Sequence, residues 1–235
     1  PNNKYNRYNF TARNTSDFLN DKLHLDVSAS YIIQNTQNMY RPGEYYNPLT
    51  AVYLFPRGED WSAVQLYKRY DASRKFATQY WPYGDQGMQL QNPYFIVNDM
   101  MTPTERKRYM FMSSLKYDIL PWLNVTGRVR VDNTNTESES RFHASGQGIL
   151  YAGTYGNGIY NHSQSIDQQT YLDMMFNLDK SFGADYRLTA NLGASLEDYR
   201  SSGVGFGGPI LKVPNLFSSA ALDPVNAIPN DSEFR

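Results

Sequence analysis

The sequence has 235 residues and a formal net charge of −1, with 22 basic and 23 acidic side chains. This balance argues against a protein that binds nucleic acid through a basic surface, because such a protein needs a surplus of lysine and arginine. Cysteine is absent, which excludes a disulfide framework and a cysteine-ligated metal site.

The composition is polar overall but rich in aromatic residues. Mean hydropathy is −0.62, yet 15% of the residues are aromatic and 20 residues are tyrosine. Such a composition is typical of a sheet that has one apolar face and one face exposed to water. No run of about 18 apolar residues occurs, so the sequence predicts no transmembrane helix. The alternating strands of a membrane β-barrel score low on hydropathy and are not excluded.

Six stretches of the chain alternate between apolar and polar residues with a period of two. Leu188, Leu192 and Leu196, for example, share one face of the stretch 186–197, and Arg187 lies on the other face. A helix would scatter these residues around its circumference, so the pattern predicts strands. The six predicted strands are residues 5–13, 22–31, 107–119, 122–132, 169–180 and 186–197.

The connections between these strands alternate between short and long. The short links are residues 14–21, 120–121 and 181–185. The long connections are residues 34–106, 133–168 and 201–235. Tight periplasmic turns alternate in this way with long extracellular loops in outer-membrane barrels, and aromatic residues near both strand ends suit the two lipid–water interfaces. The predicted fold is therefore all-β: an antiparallel, up-and-down transmembrane β-barrel segment of about six strands.

Six strands are too few to close a membrane barrel, since known barrels begin at about eight strands. An open sheet in lipid would leave two edges of unpaired backbone groups. We therefore expect residues 1–235 to be one part of a larger barrel domain.

The alternation also assigns the two faces of the predicted wall. Leu23, Leu25, Val27, Leu188 and Leu192 are expected to face lipid, together with Leu196. Both signs of charge occur on the other face, which argues against a single-sign ion filter and favours pairing among these residues and with a plug domain. The charged residues predicted for the lumen are Arg7, Arg13, Lys22, His24, Asp26, Lys116, Arg128, Arg130, Asp132, Asp173, Asp179, Arg187 and Glu197.

Several segments resemble one transporter family. Residues 108–132 read RYMFMSSLKYDILPWLNVTGRVRVD and resemble a barrel hairpin of the SusC/RagA transporters, which carry a similar SLKYD, WL and GRV run. Residues 92–95 (NPYF) resemble the family's NPY-aromatic loop motif, and residues 213–217 (VPNLF) its VPN-aromatic motif. Residues 5–13 also resemble a family strand.

The resemblance implies a TonB-dependent importer of oligosaccharides or peptides in the outer membrane of a Gram-negative bacterium of the Bacteroidetes type. It implies a SusD-like surface lipoprotein as partner, contact with outer-membrane lipid, and no nucleic acid. The plug domain, the TonB box and the remaining strands of the family have no counterpart in the sequence, so TonB is expected to act through parts outside this chain.

The first long connection contains the candidate residues for a ligand or partner site. Aromatic rings stand there among charged side chains, a combination that suits stacking on sugar rings or peptide side chains. The same rings could equally form a contact with a partner protein or a small core of the loop itself. The candidates are Trp61, Tyr67, Tyr70, Tyr80, Trp81 and Tyr83.

Short motifs of enzymes are present but lack their structural context. Residues 203–208 match the dinucleotide fingerprint, but no helix is predicted after them, so a mobile glycine loop is favoured. Ser113 and Lys116 match an S-x-x-K motif, but on a strand they point to opposite faces. Because no nucleophile, base and orienting group can be placed together, we expect no enzyme activity and no cofactor.

Metal sites are not predicted either. The three histidines (His24, His143 and His162) have no helical partner or cysteine nearby, which argues against zinc. Oxygen-rich residues at the start of the second long connection could suit calcium, but their spacing favours a solvated acidic loop. These residues are Asp132, Asn133, Asn135, Glu137 and Glu139.

Two alternatives to the importer stay open at this point. One is a soluble β-rich glycan-binding module that uses the aromatic loop, and the other is a passive outer-membrane porin. Solubility without detergent would separate the first alternative from a membrane protein.

Overall fold

The computed structural model describes residues 2–38, 46–81, 90–144, 156–183, 185–225 and 227–234. The strands in these residues are β1 (Lys4–Phe18), β2 (Leu23–Gln37), β3 (Lys68–Asp71), β4 (Phe76–Gln79), β5 (Met100–Met101), β6 (Pro103–Leu120), β7 (Leu123–Phe142), β8 (Ile159–Phe182), β9 (Tyr186–Pro209) and β10 (Ile228–Phe234). The helices are α1 (Pro48–Tyr53), α2 (Ser62–Gln65) and α3 (Pro93–Asp99), and Ser219–Ala221 forms a single 3₁₀ turn.

Eight of these strands form one antiparallel sheet in the order β1-β2-β6-β7-β8-β9-β10, with β5 continuing the line of β6 along β7. The hairpin β3–β4 is a separate sheet. Consecutive long strands are neighbours, and all three short turns lie at one end. The predicted all-β, up-and-down fold with six long strands is therefore confirmed.

The long strands extend further than the sequence pattern predicts. They contain 15 to 24 residues, and β7 and β8 take up much of the predicted connection 133–168. The acidic residues predicted for a loop base, from Asp132 to Glu139, lie within β7. The reason is that backbone hydrogen bonding between the strands continues where both faces of the sheet are exposed to water. The alternation of apolar and polar residues, on which the prediction rests, ends before that region.

The predicted glycine loop at residues 203–208 is also wrong. This segment lies in β9, where it pairs with β8, and most of it also pairs with β10. A Cβ atom on Gly205 would lie 2.9 Å from the main-chain oxygen of His162. Glycine thus allows the neighbouring backbone to approach closely, rather than making the segment a loop.

The register brings the apolar residues of neighbouring strands onto one common face. Val125 pairs with Phe176, which in turn pairs with Leu192. The polar series is equally continuous, and Arg128 pairs with Asp173. We call these two surfaces the apolar face and the polar face. Leu192 on the apolar face is 75% exposed, so nothing in the described residues covers it.

The three short turns are staggered along the sheet. Phe18 closes the first hairpin and lies in the same hydrogen-bonded row as Phe176, whereas the third hairpin closes six residues further on, at Phe182. If the three turns lie at one level of the membrane, the strands are staggered by six residues of about 3.3 Å each across four strand spacings of about 4.8 Å each. The ratio of these two lengths requires the strands to be tilted by about 45° from the barrel axis. Gly183 supplies a positive φ of 69° in the third turn.

The buried residues concentrate at the opposite end of the sheet. One cluster is built on Phe95 and Phe142, and a second on Tyr160 and Ile210. Within the described ranges, no helix has both the length and the apolar character needed to cross a membrane.

Candidate functional site

Residues 46–81 and 90–101 form a small folded unit, called the cap below, between the end of β2 and the start of β6. Its core consists of Phe95, Ile96, Met100 and Phe142, with Tyr46, Tyr67 and Ile159 packed against it. Phe142 and Ile159 belong to the polar-face series of β7 and β8. The cap therefore packs on the polar side of the sheet, at the end opposite the short turns.

Asn92 connects three segments of the cap. Its Oδ1 accepts a hydrogen bond from the N–H of Tyr94 at 2.9 Å and so caps α3. Its Nδ2 donates to the main-chain oxygens of Val64 at 2.9 Å and Tyr80 at 3.1 Å. Its own N–H donates to Oε1 of Gln79 at 2.9 Å, and the side chain is fully buried. The NPYF motif thus holds the cap together.

Two of the predicted site residues pack inside the cap. The ring of Trp61 meets Phe55 edge-on at 4.9 Å, and its Nε1–H donates to the hydroxyl of Tyr94 at 3.4 Å. Tyr67 stacks on Tyr94 with ring centroids 6.4 Å apart. Sequence reasoning missed Tyr94 as their common neighbour. These contacts agree with the alternative in which Trp61 and Tyr67 form a small core of the loop itself. A role of these residues in binding a ligand or a partner stays a prediction.

The other predicted residues differ in their surroundings. The guanidinium of Arg69 lies 3.3 Å from the ring centre of Tyr80, so this ring is covered by a cation. Trp81 is half-buried. Tyr70 is 70% exposed on the β3–β4 hairpin and is the most accessible of the described candidates. Tyr83 lies outside the described residues.

Three ionisable groups join the cap to β7. Asp99 is 4% exposed, and its Oδ1 lies 2.5 Å from Nζ of Lys68 and 3.6 Å from Nδ1 of His143. His143 also donates to the main-chain oxygen of Asp99 through its N–H and through Nδ1, both at 2.9 Å. The sequence does not predict the group of Lys68, Asp99 and His143, because its members come from three separate segments of the chain.

The VPNLF motif (residues 213–217) connects the C-terminal end of β7 with the N-terminal end of β8. Asn215, with φ of 64°, accepts a hydrogen bond from the N–H of Ala144 through Oδ1 at 2.6 Å. Phe217 meets His143 edge-on at 5.0 Å and Tyr160 at 6.2 Å. The motif therefore organises the second buried cluster and, through His143, contacts the group that anchors the cap.

The polar face carries a ladder of ion pairs between neighbouring strands. Asp26 accepts two hydrogen bonds from Arg13 at 2.9 and 2.6 Å, and Asp173 accepts from Arg128 at 3.0 Å. Further pairs are Arg108–Asp132, Arg187–Asp179, His24–Asp17 and His24–Asp118. The predicted mutual pairing of the polar-face charges is confirmed for the predicted residues among these. The partners Arg108, Asp17 and Asp118 are not in the predicted set.

Two charged residues of the polar face stand apart from this ladder. Arg130 forms no ion pair with a described residue, and it donates only one long hydrogen bond, to Oε1 of Gln169 at 3.4 Å. Glu197 accepts a short hydrogen bond from Nε2 of the same Gln169. Both charged side chains are exposed within the described part of the chain.

The opposite face brings together three residues that the sequence analysis considers in separate sets of possible metal ligands. Potential ligand atoms of Glu137, Glu139 and His162 lie within 4.8 Å of one another, because strand pairing places residues 139 and 162 side by side. Glu139 already forms an ion pair with Arg141 and accepts from the hydroxyl of Tyr160 at 3.2 Å. The carboxylate of Glu139 therefore already has partners within the protein.

Two carboxylates in the cap organise local turns. The hydroxyl and N–H of Ser62 donate to Asp60 at 2.5 and 2.9 Å and hold the pKa of this carboxyl below its usual range. Ser73 donates to Oδ1 of Asp71 at 2.6 Å through its hydroxyl, which lowers the pKa of Asp71 in the same way. Asp71 thereby fixes the turn between β3 and β4.

No protein-family model matches the chain, and no curated protein matches it significantly. Solved structures of the RagAB peptide importer are similar in fold. The likeness to the open-open state has a TM-score of 0.68 at 15% sequence identity and covers 99% of this chain and 24% of that chain. The closed-closed state gives a TM-score of 0.62 at 16% identity, over 98% of this chain and 25% of that chain.

A further RagAB structure, of the peptide transporter, gives a TM-score of 0.61 at 16% identity. This chain thus spans about a quarter of the length of the RagAB chains that it matches. At this level of identity the likeness establishes the fold alone.

Proposed function

We propose that the chain forms part of the wall and the extracellular cap of an outer-membrane importer of the SusC/RagA type. The observation that carries this proposal is the two-faced sheet. One face is apolar and open, with Leu192 75% exposed, and the other carries inter-strand ion pairs such as Arg128–Asp173. A wall between lipid and a wet lumen requires this division.

The strand geometry supports the same proposal. The tilt of about 45° derived from the staggered turns falls at the steep end of the range for outer-membrane barrels. The short turns then face the periplasm, and the cap lies on the lumen side at the extracellular end. This position suits a contact with cargo or with a surface lipoprotein.

Within the residues that the structure describes, the sheet has two long unpaired edges. There, β1 pairs with β2 alone, and residues 186–200 of β9 pair with β8 alone, because β10 covers residues 201–207. Lipid does not tolerate such edges, since each unpaired backbone group costs several kcal/mol there. Further strands must therefore complete the wall, in agreement with the fraction of the RagAB chains that this chain spans.

The proposed role is transport, not catalysis. The importer takes up peptides or oligosaccharides, is driven by TonB, and works with a SusD-like lipoprotein that closes over the cap. The RagAB likeness favours peptides as cargo, since those structures are of a peptide importer.

Deletion of the gene and growth on peptides or on oligosaccharides as the limiting nutrient test the proposal. Growth on one of the two should fail and should return with the restored gene. Uptake should also stop in a strain without TonB, whereas a passive porin would continue to work. Normal growth of the deletion strain on both nutrients would contradict the proposal.

A further inference from the structure

One row of laterally paired residues on the polar face carries a positive charge, on Arg130, and a negative charge, on Glu197, two strands apart. Arg130 of β7 pairs with Tyr171 of β8, which pairs with Glu197 of β9. By strand alternation all three side chains point to the polar face. Two strand spacings separate the outer residues, so their backbones lie about 10 Å apart.

The positive end of this row has unused donors. The neighbouring acids on the same face are engaged, because Asp173 pairs with Arg128 and Asp132 pairs with Arg108. Within the described residues, Arg130 forms one hydrogen bond, of 3.4 Å to Gln169, and it also interacts electrostatically with Asp132. Its guanidinium has five N–H donors in a fork that matches a carboxylate, so most of its binding capacity stays free.

The negative end is similarly placed. Glu197 accepts from Gln169 and forms no ion pair within the described part of the chain. Gln169 therefore links the two charges through a neutral amide, which can rotate away when stronger partners arrive. Tyr171 lies between the two charged residues in this row, and Met112 lies beside Arg130 on the side away from Glu197. Both add apolar surface, and a methionine side chain adapts to varied neighbours.

We propose that this row binds a short peptide through both of its charged termini, with the carboxylate on Arg130 and the ammonium group on Glu197. An extended tripeptide spans about 10 Å, which matches the separation of the two backbones and requires the amide of Gln169 to turn away from between the charged groups. The inference rests on the proposed function, because it requires the polar face to line the path of the cargo. An acidic oligosaccharide offers carboxylates but no ammonium group, so it would use Arg130 alone.

Equilibrium binding to the purified protein in detergent, measured by calorimetry, tests the inference. The probes are trialanine with free termini, N-acetyl-trialanine amide and trigalacturonate. The wild type should bind trialanine and bind the blocked peptide at least tenfold more weakly. Arg130→Gln and Glu197→Gln should each weaken trialanine binding about tenfold, because each removes one charge-assisted contact.

Two variants control for indirect effects. Arg7 lies on the polar face of β1, is exposed and, among the described residues, bonds to Asn9. Arg7→Gln should therefore leave binding within about twofold of the wild type. The charge-swapped variant Arg130→Glu, Glu197→Arg should regain binding, since a peptide can dock in the reverse direction. General damage to the wall would not produce this recovery.

Equal binding of free and blocked trialanine, or unchanged binding in Arg130→Gln, would overturn the inference. Preference for trigalacturonate with no dependence on Glu197 would overturn the assignment to peptides. These results leave the growth test untouched, so failure of this inference is distinguishable from failure of the proposed function.

Discussion

Nζ of Lys68 lies 2.5 Å from Oδ1 of Asp99 and fastens the β3–β4 hairpin to the C-terminal end of α3. Because Asp99 is 4% exposed, Lys68→Met leaves a buried carboxylate with less compensation. We expect the free energy of local unfolding of the cap to fall by about 2 kcal/mol and the stability of the sheet to stay unchanged. Hydrogen exchange of the cap amides measures the loss, and Lys212→Met, at an exposed position, is the matched control. Equal exchange in both variants would contradict the role of the pair.

Asn92 and Asn47 both cap short helices and both precede proline, but their roles differ. Asn47 accepts one hydrogen bond, from the N–H of Leu49 at 3.0 Å, whereas Asn92 also joins α2 and β4 to α3. Asn47→Ala should cost about 1 kcal/mol, and Asn92→Ala about 2–3 kcal/mol, because its buried partners lose their hydrogen bonds. Limited proteolysis of the cap should rank the two variants in this order. The reverse order would show that Asn92 does not hold the segments together.

The two faces of β9 should respond differently to a new charge. Leu192→Arg on the apolar face should destabilise the refolded wall by about 2–4 kcal/mol near mid-membrane, whereas Asn191→Arg on the polar face should be mild. Refolding into lipid vesicles followed by denaturant titration provides both values. If Asn191→Arg is the more damaging variant, the apolar face is turned inward and the protein is a soluble barrel.

Trp61 and Trp81 belong to the cap and not to the wall, yet uptake should depend on them. The double variant Trp61→Ala, Trp81→Ala removes the contact of Trp61 with Phe55 and its hydrogen bond to Tyr94. We expect normal surface level, weaker protection of the cap and reduced uptake. Normal lipoprotein capture, uptake and surface level together would leave these rings with a self-packing role only.

Tyr70 separates binding from packing more cleanly, because it is 70% exposed. Tyr70→Ala should leave hydrogen exchange in the cap unchanged and should reduce capture of the lipoprotein or of the cargo, since exposed aromatic rings are frequent energetic centres of interfaces. Tyr70→Phe keeps the ring and should retain most of the capture. Full capture by Tyr70→Ala would remove this residue from the candidate site.

The hairpin turn of the cap should loosen in acid. Hydrogen bonds from Ser73 and Arg74 lower the pKa of Asp71, so ionised Asp71 stabilises the turn above the pKa it has in the unfolded chain. This contribution is lost as pH falls through the lower, folded pKa. Exchange of the N–H groups of Ser73 and Arg74, corrected for intrinsic rates, should rise over that acidic range. In Asp71→Asn this rise should be missing, and its persistence there would assign the effect to another group.

The sequence predicts the wall of this protein well because alternation is a local signal. In β9, Leu188, Leu192 and Leu196 repeat at even positions, and no knowledge of neighbouring strands is needed to read them. The same signal ends where both faces become polar. For this reason the strand ends near Phe142 and Ile159 are not predicted, although the backbone pairs through them.

The candidate site is harder to predict because it depends on contacts between distant residues. Asn92 bonds to Val64 and Tyr80, and Asp99 meets His143, through tertiary placement alone. The helices of the cap have only four to seven residues, too few to show a periodicity. The NPYF and VPNLF motifs mark these places by resemblance, but their structural roles follow only from the fold.

The most direct test of the membrane wall uses the absence of cysteine from residues 1–235. Leu192→Cys and Asn191→Cys place single thiols on adjacent residues of opposite faces, and a membrane-impermeant maleimide reports which thiol meets water in intact outer membranes. We predict that Asn191→Cys is labelled, that Leu192→Cys is protected, and that both label once the protein is denatured. Equal labelling of both, or labelling of Leu192→Cys alone, would contradict the account of a lipid-facing apolar surface and a wet polar face.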